Sequence, residues 1–346
     1  MVRGRRRLHP AAVAGAAAVA VAAAGAGLAI GPSPIGPLDA LAEVASRLPG
    51  SPVRSPLGPT QAAIVWEIRL PRVALASLVG AVLALSGGAY QGVFRNPLAD
   101  PYLLGVAAGA GLGATVAIAA GGAGGGPLGP VPAAAFAGSL AAVALTYLLG
   151  AAGDRRRSPA SLLLAGVAVA SGLTAVQTFV QQRESEVIRE VYSWVLGRLT
   201  TASWADVAVV VPYAVVASAV ILRRRRALDV LAVGDDEAAS LGLPVEAVRV
   251  QVVVAASLAT AAAVSVSGLI GFVGLVVPHT IRLLGGASYR VILPLSLLLG
   301  AAFLTLADVA ARTALAPAEV PIGVVTALVG APFFALVLRA RRPVPT

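Results

Sequence analysis

Cysteine and lysine are both missing from this sequence, and histidine occurs twice. Without cysteine there is neither a disulfide framework nor thiolate metal ligation, and the redox compartment is not readable. Without lysine there is no Walker A phosphate loop, so the chain is not itself an ATPase of that type. Charge is scarce as well: 12% of residues are charged against 58% apolar, with a mean hydropathy of +0.87. That leaves too few polar side chains to cover a soluble globule, and the chain reads as an all-α polytopic membrane protein. The net charge of +10 could suggest a nucleic-acid partner. The arginines, however, sit in short clusters between apolar runs, where they act as topology signals rather than as a groove, so no nucleic-acid binding is expected.

Apolar runs near the 20 residues a spanning helix needs centre on 11–31, 62–88, 97–120, 129–150, 159–181, 204–222, 247–266, 268–285, 291–312 and 321–339. They predict about ten transmembrane helices in a single permease-like domain over 1–346. The seventh and eighth are ambiguous: the Ser267-Gly268 break followed by Pro278 fits a broken helix, a re-entrant turn or two short spans. Residues 186–199 are too charged to span and carry Tyr192 and Trp194, which predicts a short helix at the outer interface. With both termini in the cytoplasm, 18 of the 26 arginines fall inside, including the clusters at 155–157 and 223–226. The first run has a basic start and an alanine-rich core like a signal peptide; a retained first helix is the expectation.

Gly105, Gly109 and Gly113 form a ridge of small residues on which a neighbouring helix can pack closely. The same letters do not form a dinucleotide loop, because no strand precedes them and no acidic partner follows. Ser86-Gly87 precedes Pro97 by the interval at which Ser267-Gly268 precedes Pro278. Five spans apart, such copies suggest an inverted repeat. The longest charged stretch, 223–249, holds Asp235, Asp236 and Glu237 at the start of a short helix that Gly242 and Pro244 should end. By spacing alone a solvated loop is the competing reading.

Other polar residues have ordinary readings beside functional ones. Arg69, Arg72 and Arg312 lie at the outer ends of spans, where snorkelling suffices, and Asp308 is placed for an i,i+4 pair with Arg312. His279 has no second ligand in spacing, so a packing role is expected rather than a metal. Asn96 and Asp100 read as turn and capping residues around Pro97 and Pro101. Gln177, Thr178, Gln181 and Gln182 are either pathway contacts or solvated residues at a helix end.

The block RLPRVALASLVGAVLALSGGAYQGVFRNPLADPYLLGVAAGAGLG (69–113) resembles the signature region of the iron-siderophore, haem and cobalamin permease family of ABC importers. SGLIGFVGLVVPHTIRLLGG (267–286), LPLSLLLGAAFLTLADVAAR (293–312) and EVPIGVVTALVGAPFFALVL (319–338) resemble its later blocks. The resemblance runs from Arg69 to Leu338; the first helix and the 31–63 loop fall outside it. It implies the fold of a type II importer permease, two copies of which form the pathway, with two separate ATPase subunits that bind ATP and Mg and a soluble or lipid-anchored substrate-binding protein. No cofactor or metal on this chain is implied. By the same resemblance, Ala238, Ala239, Leu241 and Gly242, with the acids Asp235, Asp236 and Glu237 before them, form the coupling helix that docks on the ATPase. Arg69, Arg72 and Arg312 receive acidic residues of the binding protein. Ser158, Pro159, Ala160 and Ser161 mark the cytoplasmic gate, where the family often carries small hydroxyl residues in place of Pro159 and Ala160. The loop of Asn96, Pro97 and Asp100 contacts the moving cytoplasmic parts.

The expected function is therefore the permease of an ATP-driven importer of a ferric siderophore in the cytoplasmic membrane. Cobalamin and haem are the alternatives within the family. An ion-coupled secondary transporter would normally show charged residues at mid-membrane depth, which are nearly absent. An intramembrane hydrolase would need a nucleophile and a base in facing helices, and the sequence offers no convincing nucleophile to go with His279.

Overall fold

The computed structural model describes residues 8–31, 33, 35–122, 126–153 and 159–340, and no strand occurs among them. Helix α1 (Pro10–Ala29) begins with proline at its first turn, where the missing N–H costs nothing. A short amphipathic helix α2 (Pro37–Ser46) follows. Helix α3 (Pro59–Ala63) runs through one π turn (Ile64–Arg69) into α4 (Leu70–Val93). Then come α5 (Val106–Ala119), α6 (Pro130–Gly153), α7 (Pro159–Arg183), α8 (Ile188–Val195) and α9 (Trp204–Leu231). Helix α10 (Asp235–Ser240) precedes α11 (Val245–Ser267), α12 (Val273–Gly285), α13 (Tyr289–Thr313) and α14 (Ile322–Ala340). Seven helical stretches are long and apolar enough to cross a membrane, while α5, α12 and α14 supply shorter apolar helices.

The ten expected apolar segments are thus all helical, but two begin late. The third starts at Val106 rather than at Pro97, and the eighth at Val273 rather than at Gly268. Hydropathy does not distinguish an apolar loop from an apolar helix: residues 94–105 are a run of turns carrying two prolines, and 268–272 are a short irregular stretch with two glycines. Residues 94–105 and 268–272 therefore enter the helical body as non-helical backbone, which is tolerated at such depth only where protein covers it. The hydroxyl of Tyr102 joins them, donating to the Ile270 carbonyl and accepting from the Ile270 N–H, both at 3.0 Å.

Close helix contacts rest on backbone approaching backbone. A Cβ on Gly80 would lie 2.3 Å from the Gly300 carbonyl oxygen, and one on Gly87 would lie 2.0 Å from that of Gly274. Gly109 and Gly113 pack on α6 in the same way, against Gly138 and Ala134. Gly105 differs from the expected ridge: it is the left-handed N-cap of α5 at φ 83°. The echo between 86–97 and 267–278 is also corrected. Gly87 lies inside α4 whereas Gly268 terminates α11, and Pro97 lies in a loop whereas Pro278 lies inside α12. The two halves do correspond, in another register. Each has a long helix, a non-helical stretch and a short helix entered through a left-handed residue, Gly105 in one and Phe272 (φ 67°) in the other. Helices α4 and α11 run in opposite directions, because the residues just after α4 and those at the start of α11 meet through Asp235.

Candidate functional site

Polar residues gather at the two ends of the bundle. At one end the π turn brings Arg69 beneath the C-terminus of α1, where unpaired carbonyls carry partial negative charge. Arg69 donates to the carbonyls of Leu28 (2.9 Å) and Ser33 (3.3 Å) and to Ser33 Oγ (2.7 Å). Arg312 donates to the Gly27 carbonyl. Between them Arg72 forks across Asp308 (2.8 and 3.0 Å) and Glu319 (2.8 and 2.9 Å). Arg69, Arg72 and Arg312 are 3, 7 and 3% exposed and Asp308 is 1% exposed, so all four are interior groups. Snorkelling is thereby replaced by internal pairing, and none of the three arginines is presented outward in this conformation. The Asp308 to Arg312 pair exists at 3.6 Å, longer than the link from Asp308 to Arg72. A cavity of about 170 Å³ opens onto this cluster, lined by Arg72, Arg198, Asp308 and Glu319 among others.

The short helix α8 roofs the same end. The Trp194 carbonyl lies 2.2 Å from where a Cβ on Gly268 would sit, the Arg198 N–H donates to the Ser267 carbonyl, and the Gly323 N–H donates to that of Leu196. Residues 35–63, outside the family resemblance, form a small cap here. Leu28, Ile35, Ala40 and Val65 make its core. Glu43 is buried inside it and accepts from Trp66 Nε1 at 2.9 Å. Hydrogen bonds from Ser55 and then Trp66, together with the Arg47 guanidinium, hold the Glu43 carboxyl below its ordinary value although burial opposes them.

At the other end α10 forms as expected, with Asp235, Asp236 and Glu237 in its first turn and Gly242 (φ 81°) just past its last. Ala238 is fully buried; Asp236, Glu237, Ala239, Leu241 and Gly242 are exposed, Leu241 by 72%. Asp235 ties the helix down: one oxygen meets Arg249 at 2.7 Å and the other meets Arg95 at 3.6 Å. Arg95 opens the re-entrant loop with a left-handed backbone (φ 51°). Within that loop Asn96 Oδ1 accepts from the Leu98 N–H (2.9 Å) and Asp100 Oδ1 from the Tyr102 N–H (2.8 Å), the turn chemistry expected of both. Pro101 packs on Gly274, and Gln91 donates to the Gly274 carbonyl at 3.2 Å. A continuous set of contacts thus leads from α10 through Arg95 and Tyr102 to Ile270 and the turn under α8.

The remaining sequence candidates are scattered. Ser158 lies outside the described residues; Pro159 starts α7, Ala160 is exposed and Ser161 is half-buried. Gln177 and Gln181 are half-buried, Gln177 against Gly111 of α5, while Thr178 and Gln182 are exposed, so the four occupy two sides of α7. His279 is buried against Phe333 and Phe334, with ring centroids 6.0 and 5.8 Å away, in keeping with a packing role. Sequence reading missed Glu319, Arg198 and Tyr102. Glu319 had one usable signal, since a carboxylate beside the membrane requires a partner.

The FecCD transport family matches residues 14–340. The cobalamin import system permease protein BtuC of Halobacterium salinarum is 44% identical over 295 residues, covering 84% of this chain and 77% of that protein. The hemin transport system permease protein HmuU of Yersinia pestis is 40% identical over 290 residues, covering 80% and 84%. A solved structure described as an inward-facing metal-chelate type ABC transporter superposes with a TM-score of 0.82 at 29% identity, over 96% of this chain and all of that one. The buried arginine cluster, the paired re-entrant loops and the acidic short helix therefore sit in a permease of ABC-importer type, and the chain belongs to the FecCD transport family.

Proposed function

We propose that this permease carries a metal chelate across the cytoplasmic membrane by alternating access, with two copies forming the path, two separate ATPases driving it and a binding protein delivering the ligand. The observation that carries the reading is α10: a six-residue helix with exposed acids and an exposed Leu241, fixed by Asp235 to the loop that reaches Ile270. Movement of α10 by a bound ATPase would pull on Arg95 and so on both re-entrant segments. This chain performs no covalent chemistry; ATP and Mg belong to the ATPase. The long exposed side of α7, including Leu164, Val167 and Phe179, suits a second copy with Thr178 and Gln182 beside the path.

Among substrates, the ferric-siderophore expectation rests on the family at large, whereas the relatives named above are permeases for cobalamin and hemin. We therefore rank cobalamin first, with hemin and ferric siderophore behind it. At the outer end, an acidic side chain of the binding protein would reach Arg72 by displacing Glu319, which is 27% exposed, while Asp308 keeps its place. Arg69 and Arg312 would serve that docking indirectly, by holding α1. The test is uptake into proteoliposomes that contain the permease with its ATPase and binding protein. Labelled cobalamin should accumulate only with ATP. ATP-dependent accumulation of hemin or a siderophore instead would reassign the substrate, and a complex without ATP-dependent uptake of any of the three would overturn the metal-chelate reading.

A further inference from the structure

Helices α9 and α11 touch along much of their length but separate toward the end that carries Arg223 to Arg226. There they leave an open groove of about 700 Å³, lined by Val220, Val254 and Leu258 along its floor and by Arg223, Arg224 and Gln251 at its rim. A second hollow of about 230 Å³ continues it toward the middle of the bundle, sharing Val216, Ala255 and Leu258 and ending at Pro212 and Tyr213. Pro212 falls inside α9, where its ring cannot donate to the preceding turn, and it lines the inner end of the second hollow.

Depth and charge identify the occupant. Trp204 starts α9 at the end opposite α10, capped by the reciprocal Ser203 and Asp206 hydrogen bonds. Arg223 follows it by 19 residues, about 28 Å along a helix, close to one hydrocarbon thickness. The rim arginines therefore sit at headgroup level and the apolar floor at acyl-chain level. Arg223 and Arg224 have no ion-pair partner among the described residues. The adjacent Asp229 is taken by Ser288 (2.9 Å), the Tyr289 N–H (2.6 Å) and Arg290 (3.3 Å), and Asp235 by Arg249 and Arg95. Two guanidiniums without an ion-pair partner among the described residues, set over an apolar slot, complement a phosphodiester with acyl chains, not a neutral lipid.

We propose that the groove between α9 and α11 is a binding site for an anionic phospholipid of the leaflet on the α10 side, its phosphate on Arg223 and Arg224 and an acyl chain lying over Val220, Val254 and Leu258 toward Pro212. The site rests on membrane insertion and not on the identity of the transported ligand. The test is native mass spectrometry of the full-length permease, delipidated in detergent and titrated with phosphatidylglycerol or phosphatidylcholine. Arg223→Gln/Arg224→Gln, Leu258→Trp and Arg226→Gln are compared with the parent, with folding of each read by its size-exclusion peak. The parent should retain phosphatidylglycerol over phosphatidylcholine. The double variant should bind phosphatidylglycerol about 30-fold less tightly, from a loss of about fivefold per arginine. Leu258→Trp should weaken both lipids, Arg226→Gln neither, and millimolar inorganic phosphate should not displace the lipid. Unchanged retention in the double variant, an equal loss in Arg226→Gln, or conversion of a dimer to a monomer by Leu258→Trp, which would make the groove a subunit contact, would each overturn the proposal.

Discussion

The two polar ends of this permease are built on opposite plans. At the end beside α8, Arg69, Arg72, Arg312 and Asp308 are buried and satisfy one another or the end of α1. At the opposite end α10 keeps one acid, Asp235, for internal pairing and exposes the others along with Leu241. Sparse charge in an apolar chain is thus used in two ways: turned inward to fix where helices meet, and turned outward to present a surface. Membrane burial makes the first use costly to disturb, because a lost partner leaves a charge without solvent. Surface exposure makes the second cheap to change in stability.

The largest effect that would sharpen this contrast is expected at Arg72. Arg72→Ala removes the fork on Asp308 and Glu319 and should destabilise the permease by about 3–5 kcal/mol, read as a lower midpoint of thermal inactivation in detergent. If Arg72 serves docking alone, the midpoint will stay put while binding-protein affinity falls. Next comes Tyr102→Phe, which keeps the ring and removes both hydroxyl bonds to Ile270. A loss of about 1–3 kcal/mol is expected because the Ile270 backbone groups are left unpaired, and ATP hydrolysed per ligand transported should rise. Coupling that survives intact in this variant would break the proposed path between the two ends.

A smaller effect is expected in the cap over the Arg72 end. The Glu43 carboxyl lies below its ordinary value through Ser55, Trp66 and Arg47. A depressed carboxylate stabilises the fold above the unfolded-state value and loses that contribution as pH falls through the folded one. The cap should therefore loosen only in acid, below the ordinary carboxylate range, seen as a red shift of Trp66 emission. Glu43→Gln should abolish that acid step, and an unchanged step would assign it to another group.

Much of the bundle was legible because hydropathy and helix length are coupled: the long apolar runs that end as α1, α4, α6, α7, α9, α11 and α13 all stand out in the sequence. The acids, Gly242 and Pro244 marked α10 within a residue or two, since each acts on its own turn. What escaped was non-local or masked. Arg72 and Asp308 are 236 residues apart, and no local pattern joins them. The turn at Asn96 and Asp100 and the break at Ser267-Gly268 were legible, but the late starts of α5 and α12 were not, because leucine and glycine give the same hydropathy in a loop as in a helix. The cap over 35–63 escaped because its core is assembled from Leu28, Ile35, Ala40 and Val65, drawn from four separate places.

The most direct test of the contrast is Leu241→Asp on α10, measured in two ways on one preparation: the thermal inactivation midpoint of the permease and the amount of ATPase subunit that co-purifies with it. The account expects a midpoint changed by no more than about 0.5 kcal/mol equivalent together with loss of the ATPase. An ATPase that remains bound and still drives ligand uptake would show that α10 is not the presented surface.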